Sequence, residues 1–203
     1  MKRYAAAAFA FGLLTTPVAA QEKALETAIF AGGCFWCMEP PFDKVDGVVS
    51  TTSGYAGGAE PSVTYEQVSS GQTGHAEAVR VVYDPGRVAY AELLEIFWRN
   101  VDPLDGGGQF CDRGPQYRSA LFPQSEEQFL LADASIKNVA EALGAPVATK
   151  IETAPQFWEA EGYHQDYASR NPIRYTFYRA SCGRDHRLNA LWNNRQDLAL
   201  APR

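Results

Sequence analysis

The sequence lacks any long run of lysine or arginine, and its 18 basic residues are outnumbered by 24 acidic ones, which gives a formal net charge of -6. Phosphate binding requires a basic surface, so this balance argues against nucleic acid as a partner. The chain also lacks an internal repeat, a low-complexity tract and a linker. At 203 residues the chain is long enough for one domain with a sizeable core and too short for two domains of ordinary size.

Long apolar runs are scarce as well, and the clearest one lies at the N-terminus. Residues 1–3 are MKR, residues 5–14 contain only Ala, Phe, Gly and Leu, and small residues follow at 18–20. This order is typical of a secretory signal peptide, and the apolar run is too short to span a membrane as a helix. We predict a signal peptide over 1–20, a mature domain over 21–203, and an exported, periplasmic protein without stable membrane insertion after cleavage. An uncleaved anchor is the alternative.

Cysteine is limited to Cys34, Cys37, Cys111 and Cys182. In an exported chain, an even number of cysteines normally indicates structural disulfides, here two in one of three pairings. A domain of this size does not need disulfides to fold. The C-x-x-C spacing of Cys34 and Cys37 is more typical of a redox centre.

Strand and helix patterns are mixed without strict β-α-β alternation, which favours the α+β class. A glycine-containing loop is predicted over 101–115, in the middle of the chain, and it is long enough to indicate a functional role. A loose segment is predicted after residue 171. Hydrophobic periodicity and turn residues predict strands at 27–31, 47–55, 77–83, 117–122 and 147–151, and helices at 34–45, 90–100, 125–143 and 155–167.

Cys34 is the leading candidate for a nucleophile. A strand, the glycines Gly32 and Gly33 and a helix start would place its sulfur at the helix N-terminus, where the backbone dipole favours a thiolate and lowers the pKa. The glycines permit a sharp turn and close approach of a substrate. Phe35 and Trp36 would form an apolar wall beside the sulfur. A buried structural cysteine among aromatic residues is the alternative.

Residues 32–36, GGCFW, resemble the signature of the A-type peptide-methionine (S)-S-oxide reductases. The resemblance extends from about residue 27 to about 167. It implies one domain with a mixed central sheet and helices packed on it, a two-layer plait with a ferredoxin-like core over about 27–167, and a loosely structured tail over about 171–203. Further matches follow in the family's order at 53–58 (SGYAGG), 64–65 (TY), 73–77 (TGHAE), 112–119 (DRGPQYRS), 157–161 (FWEAE) and 163–167 (YHQDY).

The resemblance implies that the Cys34 thiolate attacks the sulfur of methionine S-sulfoxide, while Phe35 and Trp36 hold the methyl group. The products would be methionine and a sulfenic acid on Cys34, the first and reversible step of cysteine oxidation. The substrate would be free methionine sulfoxide or oxidised proteins, which makes protein repair the expected role. The resemblance also implies strict preference for the S epimer.

A sulfoxide sulfur is a poor electrophile until its oxygen is protonated or strongly hydrogen-bonded, so the reaction requires an acid with a raised pKa. Glu77 suits this role, because it starts a strand face of Val and Tyr residues where desolvation would keep it protonated. By the resemblance, Tyr65 and Tyr117 would hydrogen-bond the same oxygen, and Asp112 would order the site. Without the resemblance, Glu77 would be interpreted as a solvated residue and both tyrosines as ordinary strand-edge residues.

Recycling requires a second cysteine that attacks the sulfenic acid and forms a disulfide that an external reductant opens. Cys182, in a glycine-containing tail, is the preferred resolving cysteine, and Cys37, one helical turn from Cys34, is the alternative. Cys111 would either relay the disulfide or take no part. We expect a thioredoxin or thioredoxin-like reductant, or dithiothreitol (DTT) in vitro, with no bound cofactor or metal, and a monomer.

Two other classes of protein remain as alternatives. A thioredoxin-like oxidoreductase would use Cys34 and Cys37, but the matches at 73–77 and 112–119 would then be unexplained. A zinc-binding structural module would use the four cysteines and three histidines. Zinc sites usually consist of two closely spaced pairs of ligands, whereas Cys111 and Cys182 stand alone.

Overall fold

The computed structural model describes residues 24–154 and 156–202, so the predicted signal peptide lies outside the described residues. Within them, no helix combines the length and the apolar character needed to cross a membrane. The strands are β1 (Glu26–Gly32), β2 (Val48–Ala56), β3 (Ala76–Tyr83), β4 (Gly108–Gln109), β5 (Asp112–Arg113), β6 (Ser119–Phe122), β7 (Lys150–Ile151) and β8 (Phe157–Glu159). The α-helices are α1 (Phe35–Asp43), α2 (Tyr65–Ser69), α3 (Tyr90–Arg99), α4 (Glu126–Leu143), α5 (Tyr167–Arg170), α6 (Pro172–Ser181) and α7 (Arg184–Trp192), with 3-10 helices at Pro115–Tyr117 and Asn193–Arg195.

The central sheet has the strand order β7-β6-β1-β3-β2-β8. Neighbouring strands are antiparallel, except that β6 and β7 run parallel. A mixed sheet with helices in a single α+β domain confirms the predicted fold class. The strands β4 and β5 form a separate small hairpin inside the predicted 101–115 loop.

Both faces of β1 are buried, because the chain covers the sheet on both sides. Phe30 belongs to the main core, where its ring stacks on Phe42 of α1 at 5.0 Å and on Phe97 of α3 at 5.5 Å. Ile29 points to the opposite face and joins a smaller apolar cluster. A strand that is buried on both faces is an apolar run without strict alternation, as residues 27–31 are.

The predicted helix over 155–167 is not present. Residues Phe157–Glu159 instead form the edge strand β8, which pairs with the end of β2, and α5 begins only at Tyr167. Pairing of β8 with β2 gives the backbone N–H and C=O groups at the edge of β2 hydrogen-bond partners. A short helix in the place of β8 would leave those groups without partners. The predicted strand over 117–122 starts at Ser119, because Pro115–Tyr117 turns as a 3-10 helix.

The loosely structured tail predicted after residue 171 is corrected by the structure, which shows the helices α6 and α7 there. On α7, the buried residues Leu188, Leu191 and Trp192 recur at helical spacing and belong to the main core. An amphipathic helix gains stability by burying such a face. The C-terminal segment is therefore an integral part of the domain.

Candidate active site

Cys34 lies between β1 and α1, as the sequence predicts, and is the N-cap residue of α1. Gly33 joins the two elements with φ +81°, and a Cβ atom there would lie 2.5 Å from Cβ of Gln109. A side chain at this turn would meet both backbone strain and a steric clash. The turn holds Cys34 in a buried position, with 6% of the residue exposed.

The pKa of Cys34 is shifted in the direction opposite to the prediction. Burial raises this pKa well above that of an ordinary thiol, and the hydrogen bond with Cys37 and the neighbouring Glu77 carboxyl raise it further. Desolvation of the thiolate outweighs the favourable helix N-terminus on which the prediction relied. At rest, the Cys34 side chain is therefore a neutral thiol.

Glu77 lies beside the end of β1 because β3 pairs with β1 as far as Val79 and Phe30. Its Oε2 accepts a hydrogen bond of 3.1 Å from the Phe35 backbone N–H in the first turn of α1. Only 2% of Glu77 is exposed, and burial raises its pKa to about 8. At neutral pH this carboxyl holds its proton beside the Cys34 thiol, in agreement with the prediction of an acid with a raised pKa.

Tyr65, Asp112 and Tyr117 come from segments that are distant in sequence. The capping box of Thr64 starts α2, and the Tyr65 backbone N–H donates to Glu161 Oε1 at 2.9 Å. Tyr117 ends a 3-10 helix, and Asp112 lies in the β4–β5 hairpin. Burial raises the pKa of both tyrosines, although their mutual hydrogen bond partly offsets the increase at Tyr65. Both hydroxyls therefore remain protonated near neutral pH.

These side chains enclose one cavity of about 100 Å³. The cavity brings together all seven residues that the sequence predicts as catalytic or substrate-binding. It contains a thiol, a protonated carboxyl, tyrosine hydroxyls and an aromatic wall, which is the combination needed for attack on a polarised acceptor. The lining residues are Cys34, Phe35, Trp36, Tyr65, Glu77, Asp112, Tyr117 and Tyr178.

Tyr178, on α6, also lines the cavity and was not predicted. Its hydroxyl donates a 2.6 Å hydrogen bond to Asp112 Oδ2, and it also hydrogen-bonds the Cys34 thiol. Burial raises the pKa of Tyr178, and the neighbouring Cys34 thiol and Asp112 carboxyl raise it further, so the hydroxyl stays protonated. In the sequence, Tyr178 belongs to a short apolar patch, and nothing in its local pattern indicates the contact with Asp112.

The four cysteines form two distinct pairs. Cys111 and Cys182 are joined in a disulfide that connects the β4–β5 hairpin to the end of α6. Cys34 and Cys37 are free and buried, and their side chains share a hydrogen bond. This hydrogen bond, together with the nearby guanidinium groups of Arg184 and Arg179, lowers the pKa of Cys37 to about 7. The geometry therefore favours Cys37 over Cys182, the preferred candidate of the sequence analysis, as the partner of Cys34.

One cluster in the described part of the chain has the composition of a metal site, namely Cys111, Asp112 and Cys182. The two sulfurs of this cluster are already bonded to each other. A cysteine binds zinc as its thiolate, and a disulfide has no thiolate, so the oxidised cluster offers zinc only the carboxylate of Asp112. The arrangement that the zinc-module alternative requires is not formed by these residues.

Comparisons with known proteins agree on one family. Residues 26–196 match the family model described as peptide methionine sulfoxide reductase. The chain is 50% identical over 190 residues to peptide methionine sulfoxide reductase MsrA 2 of Rhizobium meliloti, which covers 91% of this chain and 94% of the relative. Among solved structures, reduced Mxr1 of Saccharomyces cerevisiae is 35% identical with a TM-score of 0.69, covering 73% of this chain and 86% of that one. Mxr1 in complex with Trx2 is 26% identical with a TM-score of 0.50, covering 71% of this chain and 85% of that one.

The match to the family model and the relatives of nearly equal length lead to one conclusion. The chain belongs to the peptide methionine sulfoxide reductase family.

Proposed function

We propose that this chain reduces methionine S-sulfoxide, free or within oxidised proteins, to methionine. The observation that carries the proposal is the cavity in which the Cys34 thiol and the buried acid Glu77 meet two tyrosine hydroxyls. Membership of the peptide methionine sulfoxide reductase family supports the choice of substrate. Reduction of a thioether oxide is also the reaction for which a thiol and a protonated acid at one small cavity are suited.

In the first step, Cys34 Sγ attacks the sulfoxide sulfur while Glu77 transfers its proton to the oxygen. The attack forms an S–S bond between Cys34 and the substrate sulfur. The protonated oxygen then moves to Cys34 Sγ as the S–O bond of the substrate and this S–S bond both break, so that Cys34 becomes a sulfenic acid and methionine leaves. The proton of the Cys34 thiol replaces the one that Glu77 gives up, so the step consumes no net proton. Hydroxyl donors from Tyr65 and Tyr117 stabilise the charge that develops on the oxygen.

The cavity also accounts for a preference between the two sulfoxide epimers. Phe35 and Trp36 supply the apolar side that receives the methyl group, and Glu77 with the tyrosines supplies the side that receives the oxygen. Fixing these two groups, with the rest of methionine directed to solvent, specifies one configuration at sulfur. We assign it as S by family resemblance, and turnover of the R epimer at a comparable rate would contradict this assignment.

Cys37 closes the cycle in this proposal. The Cys37 thiolate attacks the sulfenic sulfur of Cys34, an S–S bond forms, and the S–O bond breaks. Glu77 donates a proton to the departing hydroxyl, which leaves as water, and Glu77 is then reprotonated from solvent. The shared hydrogen bond between the two side chains supports this order, as does the lowered pKa of Cys37. An external dithiol protein then reduces the disulfide, and the complex of Mxr1 with Trx2 supports a reductant of the thioredoxin type.

Export to the periplasm is part of the same proposal. It is supported by the N-terminal MKR and the apolar run at 5–14. The Cys111–Cys182 disulfide is a bond of the kind that persists in oxidising compartments. Mass determination of the protein recovered from cells would test it, since an intact N-terminus would contradict cleavage after residue 20.

The test of the proposed function is a set of single Cys→Ser variants, each assayed for one stoichiometric turnover without reductant and then for recycling. We expect Cys34→Ser to lose even the first turnover, because the nucleophile is gone. We expect Cys37→Ser to complete one turnover and to lose recycling. Cys182→Ser is the matched control and should recycle. If instead Cys182→Ser fails to recycle while Cys37→Ser recycles normally, the resolving cysteine is Cys182.

A further inference from the structure

Trp36 is held in place by a buried histidine that the mechanism above does not use. The indole Nε1–H of Trp36 donates a hydrogen bond of 3.1 Å to Nδ1 of His164. The Tyr167 ring stacks on the Trp36 indole at a centroid distance of 3.7 Å. His164 itself is 1% exposed. Trp36 is thus oriented by this hydrogen bond, by the stacking on Tyr167 and by an edge contact with the Tyr178 ring at 5.9 Å.

His164 lies behind the cavity, because it is absent from the lining residues and contacts several of them from the rear. Its ring centroid is 4.9 Å from that of Phe35 and 4.5 Å from that of Tyr65. It therefore touches both the wall assigned to the methyl group and a tyrosine assigned to the oxygen. His164 can therefore affect the substrate only through the cavity-lining side chains that it contacts.

The hydrogen bond from Trp36 determines the protonation of the histidine. Nδ1 accepts, so the proton of the neutral ring is on Nε2. Glu161 Oε2 lies 3.9 Å from Nε2, and burial lowers the pKa of His164 although Glu161 and Glu66 oppose the decrease. The neutral ring is the form that can accept from Trp36, since an imidazolium carries hydrogen on both nitrogens.

We propose that His164 is a positioning residue for the methyl-binding wall, in which Nδ1 accepts from the Trp36 indole and thereby fixes the face of Trp36 that the substrate methyl group contacts. This inference rests on the proposed function, because it assigns Trp36 to substrate binding. Trp36 contacts the methyl group before and after the reaction, so a misplaced indole weakens binding of the substrate and of the transition state alike. Such a loss raises the half-saturating substrate concentration and leaves the maximal rate of the chemical step nearly unchanged.

Two isosteric variants separate this role from simple filling of the core. In His164→Asn, the amide oxygen takes the place of Nδ1, so the acceptor for Trp36 is kept. In His164→Gln, the amide extends to the place of Nε2, so the acceptor is displaced. Single-turnover rates measured against methionine sulfoxide concentration should show a half-saturating concentration raised about five- to tenfold for the Gln variant, the effect of one lost hydrogen bond. The Asn variant should stay within about twofold of the unmutated enzyme.

A double-variant cycle tests whether His164 acts through Trp36. Trp36→Phe removes the indole N–H, so His164→Gln should have no further effect on half-saturation in that background. The indole N–H resonance of Trp36, identified by its loss in Trp36→Phe, gives a second readout that needs no activity. It should stay at its hydrogen-bonded position in His164→Asn and move towards that of a free indole in His164→Gln.

The proposal is overturned if the Asn and Gln variants shift half-saturation equally, or if the Gln effect persists in Trp36→Phe. If His164→Gln does not fold, the Asn variant decides: a free indole resonance combined with unchanged half-saturation refutes the positioning role. Absence of sulfoxide reduction by the unmutated protein would instead refute the proposed function, while the resonance would still report on the hydrogen bond.

Discussion

Glu77 and Cys34 both hold their protons near neutral pH, because burial raises the pKa of each side chain. The substrate therefore meets an acid and a thiol rather than a thiolate. Cys37, by contrast, faces Arg184 and Arg179 and has the lower pKa of the two thiols. Burial and nearby charges thus distinguish the acid Glu77, the attacking thiol Cys34 and the resolving thiol Cys37. We therefore expect the rate of sulfoxide reduction and the rate of recycling to depend differently on pH.

The single-turnover rate should fall as pH rises through about 8, the pKa of Glu77. Burial raises this pKa, so the proton-donating form is present below that pH and is lost above it. Glu77→Gln keeps an oxygen for the Phe35 N–H but has no proton to give, and we expect its rate at neutral pH to drop about 10²- to 10⁴-fold. A series of single turnovers on free methionine sulfoxide across this pH range measures both effects.

Glu39→Gln is the matched control for that series. Glu39 is also buried, and burial raises its pKa to about 7, but it lies on α1 outside the cavity. In Glu39→Gln the single-turnover rate should still decrease above about pH 8. In Glu77→Gln this decrease should be absent. An unaltered alkaline decrease in Glu77→Gln would show that another group provides the proton.

At the scale of elements, the site depends on where α1 begins. The turn at Gly33 ends β1 and directs Cys34 into the cavity, and it is packed against Gln109 of β4. Gln109 is itself fully buried, with its side chain bonded to the backbone N–H and carbonyl of Asp102. The turn is therefore held between a strand end and a rigid hairpin.

Gly33→Ala should destabilise the protein and reduce the single-turnover rate more than tenfold, because the new Cβ would displace either Gln109 or Cys34. Gly144→Ala is the control, since Gly144 also has a positive φ, +64°, but its Cβ would meet nothing within 4 Å. The strain of a left-handed alanine is about 1–2 kcal/mol at both sites. Equal loss of activity in the two variants would contradict the steric part of the argument.

At the scale of the whole molecule, the C-terminal helices complete the site from the opposite side. Helix α6 supplies Tyr178, the disulfide fastens its end to the hairpin, and α7 begins with the buried Arg184. The Arg184 guanidinium donates to the carbonyls of Gly32 at 3.0 Å and Asn100 at 2.7 Å. It thus joins α7 to the end of β1, directly before the nucleophile turn.

Arg184→Leu should lower the free energy of unfolding by about 2–4 kcal/mol, because the buried Gly32 carbonyl and the partly buried Asn100 carbonyl lose a charged donor. Arg174→Leu, at an exposed position on α6, is the control and should stay within about 0.5 kcal/mol. Urea unfolding of both variants with the disulfide intact measures the difference. Equal midpoints would show that the Arg184 hydrogen bonds do not stabilise the domain.

The elements with strong local patterns were predictable, and those that depend on distant partners were not. The strand at 27–31, its glycine turn and the helix after Cys34 follow from apolar content and turn chemistry. The edge strand β8 forms because β2 offers it open backbone groups, and no local signal distinguishes it from a helix. The helices after residue 171 gain their stability from the core that they cover.

The sequence by itself determined the nucleophile turn, the acid Glu77 on a buried strand face, and the family, because these features are encoded in short runs of adjacent residues. Only the tertiary structure decided that Tyr178 joins the cavity, that Cys182 bonds to Cys111 and that Cys37 has a lower pKa than Cys34. Each of these depends on residues far apart in the chain or on relative burial. Spacing along a sequence carries no information about which distant surfaces desolvate a thiol or bring two sulfurs within bonding distance.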